Sequence, residues 1–215
     1  MKWCIRNNCW LLAWACCSLI SAAAIAGAYE DMLNAVQAKD LDKVNQLLLR
    51  GMDINTSDPV GNTLIMLAAR NGDAPMVELL LKSHPNILKK NKYGDTALLL
   101  AAFQGNLRNV KALVEAGADI EPDGWTPLIY ASFEGWRDVV AYLLSQDVDI
   151  DAQSDTGFTA LMAATRNNHV ELVKLLLDQD ADIDLRNQNN QTALDMAIAA
   201  QHVDIAALLK AAGEH

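Results

Sequence analysis

The sequence predicts an all-helical solenoid, made of stacked helix pairs joined by short β-hairpin loops. Three observations predict it. A turn glycine followed by threonine returns at nearly constant spacing. Each threonine opens a segment with helical apolar periodicity. A second helical stripe, then a turn and an extended piece, closes every unit before the next glycine. A self-similar period of this length is the mark of a repeat architecture, in which each unit buries its apolar faces against its neighbours. The chain is 52% hydrophobic and 20% charged, enough apolar material for a packed core.

The period begins at Gly61-Asn62-Thr63 and returns at Gly94-Asp95-Thr96, Gly124-Trp125-Thr126, Gly157-Phe158-Thr159 and Asn190-Gln191-Thr192, in steps of 33, 30, 33 and 33 residues. Asparagine stands for glycine in the last copy, and both tolerate a left-handed backbone. A threonine hydroxyl at a helix start can accept the first free amides. Small residues follow it (Ala68-Ala69, Ala101-Ala102, Ala131-Ser132, Ala164-Thr165) and let a neighbouring helix come close. Gly72, Gly105, Gly135 and Asn168 then break the helix. The second helix carries Val77, Leu79 and Leu80, then Val110, Ala112 and Leu113, Val140, Tyr142 and Leu143, and Val173, Leu175 and Leu176. Residues three apart within these sets share one face. Gly51 to Ile54 and Gly117 to Ile120 show the closing turn and extended piece.

This unit resembles the ankyrin repeat, with Asp123-Gly124-Trp125-Thr126-Pro127-Leu128 and Ala131 as the copy nearest to the family pattern. The resemblance implies an all-α ankyrin-repeat solenoid over residues 29–215, with units 29–57, 58–90, 91–120, 121–153, 154–186 and 187–215. The family's histidine after threonine-proline-leucine is absent. Met66, Leu99, Ile129, Met162 and Asp195 stand in its place, so apolar packing should replace its hydrogen bond. The first and last units depart from the pattern, as caps that face water should.

Residues 1–28 read differently. Lys2 and Arg6 precede an apolar run from Trp10 to Ile20, and Ala26-Gly27-Ala28 ends the stretch. This layout predicts a secretory signal peptide cleaved before Tyr29, and so a periplasmic or secreted protein. An uncleaved anchor is the other reading, for which the run is short. Cys4, Cys9, Cys16 and Cys17 all lie in this leader, so the mature chain would hold no cysteine and need no oxidative folding. Cleavage would leave Lys+Arg 15 against Asp+Glu 27, a net charge of -12. Such acidity excludes nucleic acid as a partner and disfavours docking on anionic lipid. After cleavage no stable membrane insertion is expected.

The sequence holds no nucleophile elbow, phosphate-cradling loop, metalloprotease motif or dinucleotide fingerprint, which points away from an enzyme and from any cofactor. His169 and His202 share one repeat position; without cysteine or a third ligand, they read as a recurring helix-start residue and not a zinc pair. The tracts Asp147, Asp149, Asp151 and Asp178, Asp180, Asp182, Asp184 lack the glycine and glutamate of a calcium loop, and read as solvated loop edges.

The resemblance implies a monomeric protein-binding module that grips its partner, of unknown identity, with hairpin tips and inner helices. The tips hold Tyr93, Asp95, Trp125 and Phe158, with Val60, Asn62, Thr156 and Gln191. The inner helices offer Arg70, Asn71, Phe103, Gln104, Phe133, Glu134, Arg166 and Asn167. Tyr93, Phe103, Trp125, Phe133 and Phe158 make an aromatic run flanked by Arg70 and Arg166, the residue types that dominate interface energetics. Exported members of the family further imply support of a periplasmic catalase, neutralisation of a toxic effector, or action on a host protein. A repeat protein that binds a small molecule or metal is the remaining alternative. One irregularity falls within the run. Ile120 to Gly124 spans four residues where the other hairpins span seven, so the third finger should be short and leave a notch before Trp125.

Overall fold

The computed structural model describes residues 27–213. The leader expected over 1–28 lies outside them except for Gly27 and Ala28, which fall in the described part of the first helix.

Among the described residues there are 12 helices in six pairs and no extended strand. The first pair is α1 (27–37) with α2 (Leu41–Leu49). Then come α3 (Leu64–Arg70) with α4 (Ala74–Leu81), and α5 (Ala97–Phe103) with α6 (Leu107–Glu115). The last three are α7 (Pro127–Glu134) with α8 (Arg137–Leu144), α9 (Ala160–Arg166) with α10 (Val170–Leu177), and α11 (Ala193–Ala199) with α12 (Val203–Ala212). From α3 onward, odd helices stack on odd and even on even. The odd row packs more closely, so the stack curves toward it. Small buried residues permit this approach: Ala68, Ala69, Ala101, Ala102, Ala131, Ser132, Ala164 and Thr165.

The threonines cap as their position demands. Thr96, Thr126, Thr159 and Thr192 accept at Oγ1 the amides of Leu99, Ile129, Met162 and Asp195, at 3.3, 3.2, 3.2 and 3.1 Å. Thr63 differs: its hydroxyl is buried with no partner among the described residues, and the Met66 sulfur takes its amide at 3.3 Å. The stripe of the second helices is narrower than its periodicity suggests. Val77, Leu80, Val110, Leu113, Val140, Leu143, Val173 and Leu176 are fully buried, whereas Leu79, Ala112, Tyr142 and Leu175 are partly buried. Each fully buried aliphatic side chain contributes about 1.5–3 kcal/mol of transfer free energy.

Where the family places histidine, Met66, Leu99, Ile129 and Met162 are buried, so apolar packing does replace a hydrogen bond in four units. In the last unit Asp195 instead closes a reciprocal cap, accepting the Thr192 amide at 3.0 Å. That unit faces water, yet with an apolar residue. Ile198 is 54% exposed where Ala69, Ala102, Ser132 and Thr165 are covered by the following unit.

Candidate protein-binding surface

The unit joints are fastened by one recurring bond. Asn106, Trp136, His169 and His202 occupy the same place before successive second helices, and each reaches back to a carbonyl of the preceding unit, in the last turn of its first helix for the three rings and in the turn just after it for Asn106. Asn106 Nδ2 donates to Gly72 O at 2.8 Å, and Trp136 Nε1 donates to Phe103 O at 2.8 Å. His169 Nε2 lies 2.9 Å from Phe133 O, and His202 Nδ1 lies 2.9 Å from Thr165 O. A carbonyl only accepts, so each of these ring nitrogens bears the proton. The repeated histidine is thus a joint between units.

The acidic tracts also have structural work. Asp149 and Asp182 turn back on the amides of Asp151 and Asp184 at 2.9 and 2.8 Å. Asp151 accepts the Asp182 amide of the next unit at 2.8 Å, and Glu121 accepts that of Asp149 at 2.6 Å. Among the described residues, no three His, Cys, Asp or Glu side chains are grouped to hold a metal ion.

On the curved-in side the aromatic residues meet. Thr126 holds an extended backbone (φ -81°, ψ 160°) and Pro127 opens α7, which sets Trp125 just outside the helix start. Tyr130 and Phe133 follow on α7, three residues apart and so on one face. The Trp125 ring lies 5.0 Å from Tyr130, 5.8 Å from Phe133 edge-on, and 6.2 Å from Phe158, nearly parallel at 18°. Tyr130 meets Phe103 edge-to-face at 5.9 Å. The Arg166 guanidinium sits 5.7 Å from the Phe158 ring centre. The chain Phe103–Tyr130–Trp125–Phe158–Arg166, with Phe133 beside it, therefore crosses three consecutive units. Its rings are half-buried, and Phe103 is 39% exposed.

Five of the expected residues are brought together here: Phe103, Trp125, Phe133, Phe158 and Arg166. The link between them, Tyr130, was not among the candidates, although its place three residues before Phe133 on α7 was legible. Burial raises the Tyr130 phenol above its ordinary pKa, and the nearby Asp95 carboxylate raises it further. Tyr93 stands apart, 79% exposed on the second hairpin with no ring partner among the described residues. Arg70 and Gln104 are exposed at the ends of α3 and α5, outside the ring chain. Asn71 gives its carbonyl to Lys39 Nζ at 3.2 Å. Glu134 is partly exposed at the end of α7. Asn167 is already engaged, donating to Phe133 O at 2.5 Å. Two further tip residues are not free: Asn62 is 5% exposed and receives the Asn91 amide group at 2.8 Å, and Gln191 accepts from Asn187 at 3.3 Å.

The short third finger is structurally distinct. The other four hairpins close with a backbone pair: Asp58–Asn62, Asn91–Asp95, Ser154–Phe158 and Asn187–Gln191. Fingers one and two join where Lys92 N meets Val60 O at 3.0 Å, and four and five where Gln188 N meets Thr156 O at 3.0 Å. The third finger makes neither kind of bond among the described residues, so the row of tips is interrupted beside Trp125.

The profile of a family described as Ankyrin repeats (3 copies) matches residues 32–123, 89–154, 119–187 and 147–215. The chain belongs to the ankyrin repeat family. Ankyrin repeats form protein–protein interaction modules and are generally not enzymes. Protein phosphatase 1 regulatory subunit 27 of Homo sapiens is 48% identical over 56 residues, 25% of this chain and 36% of that protein. The transient receptor potential cation channel subfamily A member 1 homolog of Caenorhabditis elegans is 34% identical over 102 residues, 46% of this chain and 8% of that protein. This chain thus spans about a third or less of the length of these relatives. The human ASB11 ankyrin repeat domain superposes with a TM-score of 0.79 at 25% identity, covering 85% of this chain and 83% of that one. No helix among the described residues is long and apolar enough to cross a membrane.

Proposed function

We propose that this ankyrin protein is exported and acts as a monomer that binds one partner protein through the aromatic surface centred on Trp125. The observation that carries the reading is the unbroken ring chain from Phe103 to Arg166, half-exposed on the side toward which the stack curves. Rings locked against one another lose little freedom on binding, and tryptophan, tyrosine and arginine are the residue types in which binding energy concentrates. One relative is by name a regulatory subunit, which accords with a module that acts by binding. The basic head and apolar run of residues 1–28 support export, with the mature chain starting at Tyr29.

The test captures partners from a periplasmic extract on the immobilised chain, beside a Trp125→Ala, Phe133→Ala, Phe158→Ala variant shown by circular dichroism to be folded. A partner lost by the variant supports the surface; one kept at full strength refutes it. Mass spectrometry of the chain recovered from expressing cells tests export separately. An intact leader on cytoplasmic protein would overturn that part alone. Light scattering giving twice the monomer mass would overturn the monomer.

A further inference from the structure

The aromatic surface is bordered by carboxylates that form no ion pair among the described residues, although Asp95 accepts from Asn91 Nδ2 at 3.1 Å. Asp155, on the fourth finger, stands against the turn of the shortened finger, where a Cβ added to Gly124 would lie 3.4 Å from its Oδ2. Asp123 is the residue before that glycine, and is exposed. Asp95 is close enough to Tyr130 to hold its phenol in the protonated state to higher pH, after the effect of burial. None of the three takes part in the ion pairs formed among the described residues, which join Arg108 to Glu78, Lys174 to Glu171 and Arg186 to Asp195. Arg166 is the cation seated on the ring chain, and it lies at the far end, on Phe158.

The wider field has the same sign. Residues 29–120 hold 10 Lys and Arg against 11 Asp and Glu, whereas residues 121–215 hold 5 against 16. Nearly all the acidity of the repeat body thus begins at the third finger and continues behind Trp125. That finger is three residues shorter than its neighbours, which lowers a two-stranded tip by roughly 5 Å at about 3.3 Å per residue. The gap has Trp125 on one side and Asp123 and Asp155 at its turn, while the second finger across it carries Asp95 together with the exposed Lys90 and Lys92.

We infer that the partner inserts a protruding cationic loop into this gap, with an arginine or lysine over the Trp125 and Tyr130 rings and against Asp95, Asp123 and Asp155. This deepens the reading of the aromatic surface and rests on it. A positive side chain gains from both the ring quadrupole and the carboxylates, and the surrounding field speeds its approach. A second copy that presented its acidic 121–215 half to the gap is disfavoured by the same field.

The probe is a disulfide-closed peptide loop with Arg-Leu-Arg at its tip, beside loops with citrulline or glutamate in place of arginine. The readout is the indole N–H resonance of Trp125 in the full chain, assigned with Trp125→Phe. The arginine loop should shift it, and the citrulline and glutamate loops should bind about tenfold more weakly or worse. Affinity should also fall as salt rises past about 0.15 M. A folded Asp95→Asn, Asp123→Asn, Asp155→Asn variant should lose the preference for arginine. Equal affinity for all three loops, with Trp125 shifting each time, overturns the cationic occupant and leaves the aromatic surface standing. Preference for the glutamate loop overturns it likewise. If no loop shifts Trp125, the gap is no loop acceptor, and the capture experiment judges the surface independently.

Discussion

Trp136 locks the joint that supports the ring chain, and a substitution at Gly105 should show how firmly. Gly105 sits between α5 and α6 at φ +70°, and the Trp136 indole covers it so closely that an added Cβ would lie 2.2 Å from Cδ2. Gly105→Ala therefore has two costs. The left-handed backbone costs an alanine about 1 kcal/mol wherever the indole is. The clash must also displace the indole, which loses the 2.8 Å bond from Nε1 to Phe103 O and its ring packing. A half-exposed neutral hydrogen bond contributes about 0.5–1 kcal/mol, and the lost contacts about another 1 kcal/mol. The total is about 2.5–3 kcal/mol in the parent. In a Trp136→Ala background only the backbone strain of about 1 kcal/mol remains. Urea denaturation of the four proteins of this cycle, with His169 and the other joints intact, should give a coupling of about 1–2 kcal/mol. Additivity within about 0.5 kcal/mol would show that the indole does not press on Gly105, and the account of the joint would fail.

Other substitutions separate the remaining claims. Gly157→Ala brings a Cβ to 2.9 Å from Asn187 Cα, where backbone faces backbone, so it should lower the unfolding free energy from urea denaturation by about 1–2 kcal/mol more than Gly124→Ala, which meets only a side chain at 3.4 Å. Equal losses would contradict the finger-to-finger contact. Asn109 is fully buried with both amide atoms unpartnered among the described residues, in the place held by Met76, Val139, Leu172 and Ile205 in other units. Asn109→Val should stabilise by about 1 kcal/mol in the same assay, and a loss would show that the amide is satisfied. Insertion of three residues between Ile120 and Gly124 should weaken partner binding while leaving the denaturation midpoint near its parent value; undiminished binding would sink the notch. For Asp58, burial alone would raise the carboxyl, but bonds from Asn62 and the amides of Val60 and Gly61 outweigh it and hold the pKa below its ordinary value. Such a group stabilises fully above its unfolded pKa of about 3.9, and the contribution is lost as pH falls through the lower folded value. Asp58→Asn should thus flatten the decline in urea midpoint between about pH 5 and pH 2, and an unchanged decline would refute the role.

The repeat was legible because each of its marks has a local cause. The threonine caps, the left-handed turns and the paired apolar positions act within one unit, and recurrence multiplies a signal that is weak in one copy. Bonds between units were harder to read. That His169 and His202 recur was visible, but the column to which they belong also contains Asn106 and Trp136, and an indole among imidazoles and an amide is not an obvious equivalent. What unites the four is a side chain that reaches a carbonyl near the end of the preceding unit's first helix, a property of three-dimensional stacking. The acidic tracts were open to the same confusion. Asp151 and Glu121 are fixed by amides 31 and 28 residues away, a separation that only the stack makes short. At the site, the residues flanking turn glycines were found, because a turn projects its neighbours. Tyr130 was missed because it lies inside a helix whose other residues are core.

The binding surface and the stack cannot vary independently. The Phe103 carbonyl takes the Trp136 indole, and the Phe133 carbonyl takes both His169 and Asn167. The two residues whose rings flank Trp125 and Tyr130 therefore have their backbones bolted to the next unit. Nearest-neighbour coupling between repeats then acts on the site directly: a joint that opens moves a ring. Side chains that exchange between units on the convex face, such as Arg108 with Glu78, have no such lever, since their ion pair is exposed and joins the outer row. Loss of the His169 joint should accordingly weaken partner binding more than loss of the Arg108 ion pair, even where the two variants unfold at the same urea concentration. Equal binding by His169→Ala and Arg108→Ala, at matched stability, would mean that the rings hold their places without the joint.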